Sequence, residues 1–291
     1  MEKNTISLSI GIATYKRPKS LCRVLTGLAN QTVLPKEIII SDNDSVGPSL
    51  EHLILNTLES KTDVKYVKQN DNLGAAGNFK YLLKSTGQPF FMWLSDDDSL
   101  SDETYLEKLF QTLVNTKSDF AFPKSEHVYI SKDGNEKRMF SRNLRLPLSD
   151  SKFRNHFKLI TESYIGYQLI GGIFRREILE THIGFWHSTF FYPNVVGEGP
   201  FCHILFSRFN WGYCPEVAYI KDMTDSHDFR TNAIEAFWPH FWDFVGVAGV
   251  LATSQYKGYQ KAILIITFFF RNMYAYLSVA WFSTLKRLRR L

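Results

Sequence analysis

An α/β fold built on a parallel sheet is what this sequence predicts, on two observations. Short apolar β runs alternate with amphipathic helical stretches through the first hundred residues, and each β run ends in a polar cluster. With 291 residues, 44% hydrophobic and 22% charged, the chain has ample material for such a core and is neither disordered nor collagen-like.

The elements follow in order. Residues 6–14 form the first strand, closed by a turn at Lys16, Arg17 and Pro18. Residues 20–31 form the first helix, with Leu21, Val24, Leu25 and Leu28 on one face and Ser20 as its N-cap. Residues 37–41, just after Pro35, form the second strand, and Leu50, Leu53, Ile54 and Leu58 mark the second helix. Residues 64–67 are the third strand, residues 79–83 lie in the third helix, and residues 90–94 are the fourth strand. Repeated β-α-β units imply parallel strands with right-handed crossovers, whose ligands bind beyond the carboxyl ends. The clusters at 14–17, 42–44, 70–72 and 96–98 lie at those ends.

Beyond Asp98 the alternation loosens. Residues 105–113 read as a helix and 120–122 as a short strand, while Asp133-Gly134 centres a hairpin over 128–140. Residues 142–150 read as a polar loop. Gly171-Gly172 precedes an apolar run at 173–179. Residues 201–209 read as a helix with Pro200 at its first position, and 211–219 as a strand.

The C-terminal region differs in kind. Residues 237–282 hold 14 of the chain's 44 aromatic residues, about twice the share their length predicts. Thr267, Arg271, Tyr274 and Ser278 make one narrow polar stripe along an otherwise apolar helix. From Lys257 onward there are seven basic residues and no acidic one, so the net charge of +5 leaves the first 256 residues at −2. A positive charge confined to the tail excludes a nucleic-acid footprint spread over the fold. A helix lying on a membrane surface fits this tail, with Trp281 and the basic end at the headgroups. A helix docked on the core and a true span are the other readings, the span burdened by its central Arg. Three scattered cysteines, Cys22, Cys202 and Cys214, form no disulfide framework or zinc cluster and fit a reducing compartment. The N-terminal apolar run is too short for a secretory signal.

The strongest chemical signal is Ser95-Asp96-Asp97-Asp98. Three consecutive carboxylates after an apolar strand repel one another unless a cation sits among them. Mg2+ or Mn2+ takes oxygen ligands and shares its shell with water and substrate phosphates. The plainer reading is a solvated acidic turn before a helix, since Ser99 and Asp102 are cap types.

Taken with Thr14-Tyr15-Lys16-Arg17-Pro18, Ser41-Asp42-Asn43-Asp44-Ser45 and the stretch from Asn70 through Gly74 and Gly77 to Asn78, this run resembles glycosyltransferase family 2, with the GT-A fold. The resemblance covers residues 5–220 and is specific over the first hundred. Its motif style is similar to that of bacterial O-antigen and capsule deoxysugar transferases such as abequosyltransferases. The family commonly carries an acid where this chain has Ser95.

The resemblance implies a role for each position. Thr14, Tyr15 and Arg17 would border the base and phosphates of a nucleotide-diphosphate sugar, and Asp42 would accept from a pyrimidine N–H. Asn70 and the loop from Gly74 to Asn78 would let the backbone approach the nucleotide, with Asn78 a polar contact. Asp96 and Asp97 would face the ribose and phosphates, and Asp98, with Asp96, would hold a divalent metal as a DXD motif. An inverting transfer needs a base for the acceptor hydroxyl. Glu198, downstream of the glycine-rich loop at 170–173, is the first candidate, followed by Asp225 and Asp228 around His227. A sugar-1-phosphate nucleotidyltransferase would need a glycine-rich N-terminal loop, yet residues 10–18 hold only Gly11. A nucleophile elbow and a P-loop are also absent. The expectation is a transferase domain over residues 1–235, split into a nucleotide-sugar half at 1–100 and an acceptor half at 101–235, followed by a membrane-associating region at 236–291. It would act on a glycan or lipid-linked acceptor at the cytoplasmic face of a membrane, in polysaccharide biosynthesis and without nucleic acid. The alternative is a catalytically silent sugar-binding scaffold of the same fold.

Overall fold

The computed structural model describes residues 4–58, 62–130, 136–140, 143–162, 169–182, 198–222 and 233–288. By contact the chain divides into two compact units: Met1–Ser141 with Tyr167–Ile183 and Phe209–Thr224, and Arg142–Gly166 with Gly184–Arg208 and Asp225–Leu291.

The first unit is a mixed sheet with helices. Its elements are β1 (Asn4–Thr14), α1 (Pro18–Ala29), β2 (Val33–Asp42), α2 (Glu51–Thr57), β3 (Asp63–Lys68), α3 (Gly74–Ser85), β4 (Phe90–Ser95), β5 (Ser99–Leu100) and α4 (Tyr105–Asn115). The hairpin β6 (Phe120–Ile130) and β7 (Glu136–Phe140) follows. The helix α5 (Lys152–Glu162) belongs to the second unit, and β8 (Ile173–Arg175) and α6 (Arg176–His182) return to the first. After α7 (Glu198–Arg208) of the second unit comes β9 (Trp211–Asp222), back in the sheet. The strand order is β3-β2-β1-β4-β8-β6-β9-β5, with β7 paired to β6.

Strands β3, β2, β1 and β4 are parallel, as the alternation predicted. Their apolar runs are buried without a break at Ile38, Ile39 and Ile40 and from Phe91 through Leu94, as expected of a parallel sheet covered on both faces. Several expected boundaries move. The strand expected over 37–41 starts at Val33 and passes through Pro35, beside a register shift between Ile6 and Ser9 that absorbs a residue lacking an N–H. The first helix opens at Pro18 with Arg17 as N-cap, so Ser20 sits inside its first turn rather than capping it. The short strand at 120–122 runs on to Ile130, with β9 paired to it from Phe120↔Trp211 to Val128↔Asp222 across a register shift between Pro123 and Lys124. The two strands of the expected hairpin pair antiparallel, with Ile130 opposite Glu136, while its Asp133-Gly134 centre lies outside the described residues.

Glu37 lies buried within β2. Burial opposes its charge most strongly, but Ser9 Oγ (2.5 Å), the Gly87 N–H (3.0 Å) and Lys65 Nζ (2.9 Å) donate to it and together hold its carboxyl below the ordinary value.

The second unit is helical: α5, α7, α8 (Ala233–Ala252) and α9 (Gly258–Leu288). His156 on α5 and His203 on α7 stack, with Nε2 of the first 2.8 Å from Nδ1 of the second. His156 Nδ1 lies 3.0 Å from the Tyr256 hydroxyl. Complete burial drives His156 down to about 3 and His203 well below its usual value, so both rings are neutral and one donates to the other. The polar stripe expected on the last helix is divided. Arg271 turns inward and donates to the carbonyls of Leu159 and Ile160 in the last turn of α5, whereas Tyr274 is exposed. A helix C-terminus presents unsatisfied carbonyls and a partial negative charge, which is what draws the guanidinium there. Among the described residues no helix is long and apolar enough to cross a membrane.

Candidate functional site

The carboxyl ends of β1, β2 and β4 lie level with one another: Thr14 is paired with Asp42, and Ala13 with Ser95. Side chains separated by some eighty residues therefore meet. Thr14 Oγ1 donates to Asp96 Oδ2 at 2.6 Å, and the Tyr15 N–H donates to the same oxygen at 3.3 Å. Arg17 joins Asp96 Oδ1 (3.4 Å) to Asp97 Oδ2. Ser95 Oγ donates to Asp97 Oδ1 at 2.7 Å, and Arg23 donates to the Asp97 carbonyl at 2.7 Å. Ser95 thus serves as a donor to the middle carboxylate.

Asp98 is held from β9. The Tyr219 hydroxyl donates to Asp98 Oδ2 at 2.7 Å and the Asp222 N–H to Oδ1 at 3.2 Å, both from β9. Arg23 pairs with Asp222 (3.2 Å). Sequence reasoning missed Tyr219, Asp222 and Arg23: residues 211–219 read as a strand, but nothing local tells which strand end β9 reaches. Burial raises Asp98 to about 6, with Asp97 adding to the rise and Lys221, Tyr219 and the Asp222 N–H opposing it. Asp96 is raised for the same first reason, burial, with Thr14, Arg17 and the Tyr15 N–H opposing.

Tyr219 is itself fixed by Gly171. Gly171 has φ +88°, and a Cβ there would lie 2.4 Å from the Tyr219 ring. The Tyr105 hydroxyl donates to the Gly171 carbonyl at 2.9 Å. Gly171→Ala should therefore combine left-handed strain with overpacking, costing about 2–4 kcal/mol in thermal or denaturant unfolding. A melting temperature equal to wild type would show the loop free to move aside.

The other predicted positions lie along the same strand ends. Asp42 is buried, accepting from the Asp44 N–H and the Tyr66 hydroxyl, both at 2.9 Å. Each of its oxygens keeps a second lone pair for a ligand donor. Asn43 N–H donates to the Thr14 carbonyl (2.9 Å) and its side chain to the Gly74 carbonyl (3.2 Å), tying the second cluster to the first and third. The loop expected from Gly74 to Asn78 is instead the opening of α3, with Gly74 at φ +69° and its N–H capped by Asn72 Oδ1 at 2.8 Å. Asn78 is buried and donates to the Ser41 carbonyl at 3.0 Å, fixing α3 against β2. Asn70 is exposed just past β3, and Tyr15 is 44% exposed beside the acidic run. Glu198 is the first residue of α7 in the second unit, and its side chain lies outside the described residues, as do Asp225, His227 and Asp228.

The acidic run fits a hard divalent cation. Its donors are all carboxylate oxygens, and two of the three carboxyls are raised by burial, a cost that a bound cation would relieve. Among the described residues no group of three or more His, Cys, Asp or Glu could hold a metal by itself. A cation held there would take part of its shell from these carboxylates and the rest from water or a phosphate-bearing ligand.

A parallel half-sheet carrying an acidic run at its carboxyl edge, completed by a mixed half in which β8 and β5 run antiparallel to their neighbours, is the GT-A architecture. The Glycosyl transferase family 2 model matches residues 9–183, more than half of the chain, and the chain belongs to that family. The galactofuranosyltransferase GlfT1 of Mycobacterium tuberculosis is 35% identical over 97 residues, which span 32% of this chain and 31% of that protein, so the match covers about a third of either. Among solved structures, residues 1–349 of S. aureus TarS superpose with a TM-score of 0.64 at 17% identity, over 91% of this chain and 71% of that one. That protein has also been solved with UDP-GlcNAc. The mannosyltransferase PcManGT of Pyrobaculum calidifontis, solved with GDP-Man and Mn2+, superposes with a TM-score of 0.52 at 12% identity, over 96% of this chain and 87% of that one. At these identities the structural likeness speaks to fold alone.

Proposed function

We propose that this chain is a glycosyltransferase that moves a sugar, with inversion, from a nucleotide-diphosphate donor to a hydroxyl of a glycan or lipid-linked acceptor. The observation that carries the reading is the Asp96–Asp98 run, anchored at the strand ends by Thr14, Arg17, Tyr219 and the Asp222 N–H within the family match. The setting proposed is bacterial surface polysaccharide synthesis, O-antigen or capsule, at the cytoplasmic face of the membrane, which the basic aromatic tail approaches. Relatives solved with UDP-GlcNAc and with GDP-Man and Mn2+ support the donor class.

Each residue has a proposed task. Asp42 accepts from the base, and Thr14, Tyr15, Arg17, Asn70 and the Gly74 turn border the nucleotide, with Asn78 holding that turn. Asp96 and Asp97, steadied by Arg17, face the ribose and phosphates. Asp98, with Asp96, holds Mg2+ or Mn2+, which when bound supplies charge neutralisation for a departing diphosphate. Glu198 takes the acceptor hydroxyl proton as that oxygen bonds to the anomeric carbon and the bond from carbon to diphosphate breaks.

The test is a thermal-shift panel of UDP, GDP, CDP and dTDP with and without Mn2+. One nucleotide should stabilise the protein only with metal, by about 2.7 kcal/mol at a hundred times its dissociation constant. No response to any of the four would favour the silent scaffold. Acidity supplies a second check. Asp98 is raised to about 6, and a proton competes with the cation for it. Metal-dependent nucleotide affinity should be constant above that pH and fall about tenfold per pH unit below it. Affinity unchanged between pH 7 and pH 5 would remove Asp98 from the metal.

A further inference from the structure

We propose that the outward face of α8 and α9 docks on the surface of an anionic lipid bilayer. This rests on the membrane setting proposed above and names the face that meets the lipid. Among the described residues, α9 is held along part of its circumference. Leu264 is fully buried, the Phe268 ring packs edge-on against His203 with centroids 5.0 Å apart, and Arg271 reaches the α5 carbonyls. At 100° per residue the opposite side collects Tyr259, Ile263, Ile266, Phe270, Tyr274 and Leu277, all between 39% and 67% exposed. The helix α8 adds Phe241 and Val245, 40% and 41% exposed, and the Phe244 and Phe269 rings meet at 5.2 Å to join the two helices. An apolar face of this extent on a water-facing surface marks a binding surface rather than scattered exposure.

Charge selects the occupant. Arg271 is the only charged residue between Lys261 and Lys286, and it is engaged inside the unit, so the face itself is neutral. Arg271 aside, the segment from Lys257 onward has six basic residues and no acidic one. A second copy seated on the same face would bring two all-basic segments together, which repel. Anionic headgroups attract them, and an interfacial helix buries its apolar side about 5–10 Å into the acyl boundary. The inward course of Arg271 matches a helix lying on the surface, since a crossing helix would carry it into hydrocarbon.

Co-sedimentation with phosphatidylcholine vesicles, with and without phosphatidylglycerol, tests this on the full chain. Wild type should bind the phosphatidylglycerol vesicles and lose that binding in high salt. The double variant Ile266→Ser, Phe270→Ser, altered only at exposed positions, should partition about tenfold less or worse, with its melting temperature unchanged. Lys257→Glu combined with removal of residues 286–291 keeps the apolar face and should abolish the preference for phosphatidylglycerol. Undiminished vesicle binding by the serine variant would overturn the proposal. So would a wild-type dimer that the serine variant disperses, because the face would then belong to a second copy. The metal-dependent nucleotide shift, measured on the same samples, should persist in every variant. Its loss in wild type would count against the transferase reading and leave the vesicle result standing.

Discussion

Asp98→Asn is expected to lower glycosyl transfer by about a thousandfold and to remove the metal dependence of nucleotide binding, with the fold intact. Asparagine is the better probe than alanine because Asp98 is buried and accepts from the Tyr219 hydroxyl and the Asp222 N–H. Alanine would strand both donors, at about 1–3 kcal/mol each, and confuse instability with lost function. Asparagine keeps the shape and one acceptor while removing the charge. Isothermal titration of nucleotide with and without Mn2+, beside a melting curve, reads the two effects apart. Full activity of Asp98→Asn in the presence of chelator would sink the metal assignment.

Glu198→Gln is expected to bind the donor normally and to lose turnover by about a hundredfold to ten-thousandfold, the range a positioned general base contributes. A glutamine is nearly isosteric and cannot accept a proton, so the loss should fall on kcat and leave the nucleotide dissociation constant alone. A glycan acceptor assay with saturating donor separates the two. Turnover within a few fold of wild type would move the base to another carboxylate, with Asp225 and Asp228 the next to test.

Much of the site was legible because parallel sheets put chemistry at strand ends. The clusters at Thr14, Asp42 and Asp96 could be placed from their position after apolar runs, and the register between β1 and its neighbours aligns them. The partners of Asp98 were not legible. Tyr219 and Asp222 approach it along β9, a strand paired parallel to β6 and antiparallel to β5, more than a hundred residues after the motif. The glycines from Gly74 onward signal irregular backbone in the sequence, and here a positive φ at one residue starts α3 directly.

The last helix shows the same division. Its aromatic excess, its single internal arginine and its basic end were plain in the order of residues. Which way Arg271 points was not, because a polar stripe at helical spacing lies on a seam that can turn toward water or toward a neighbouring helix. The sequence by itself determined the parallel half-sheet, the acidic run and the charge asymmetry, since these depend on local periodicity and composition. Only the tertiary structure decided which side chains hold Asp98 and which face of α9 stays bare. Those outcomes depend on free carbonyls, donors and apolar surface brought close by residues far away in the chain.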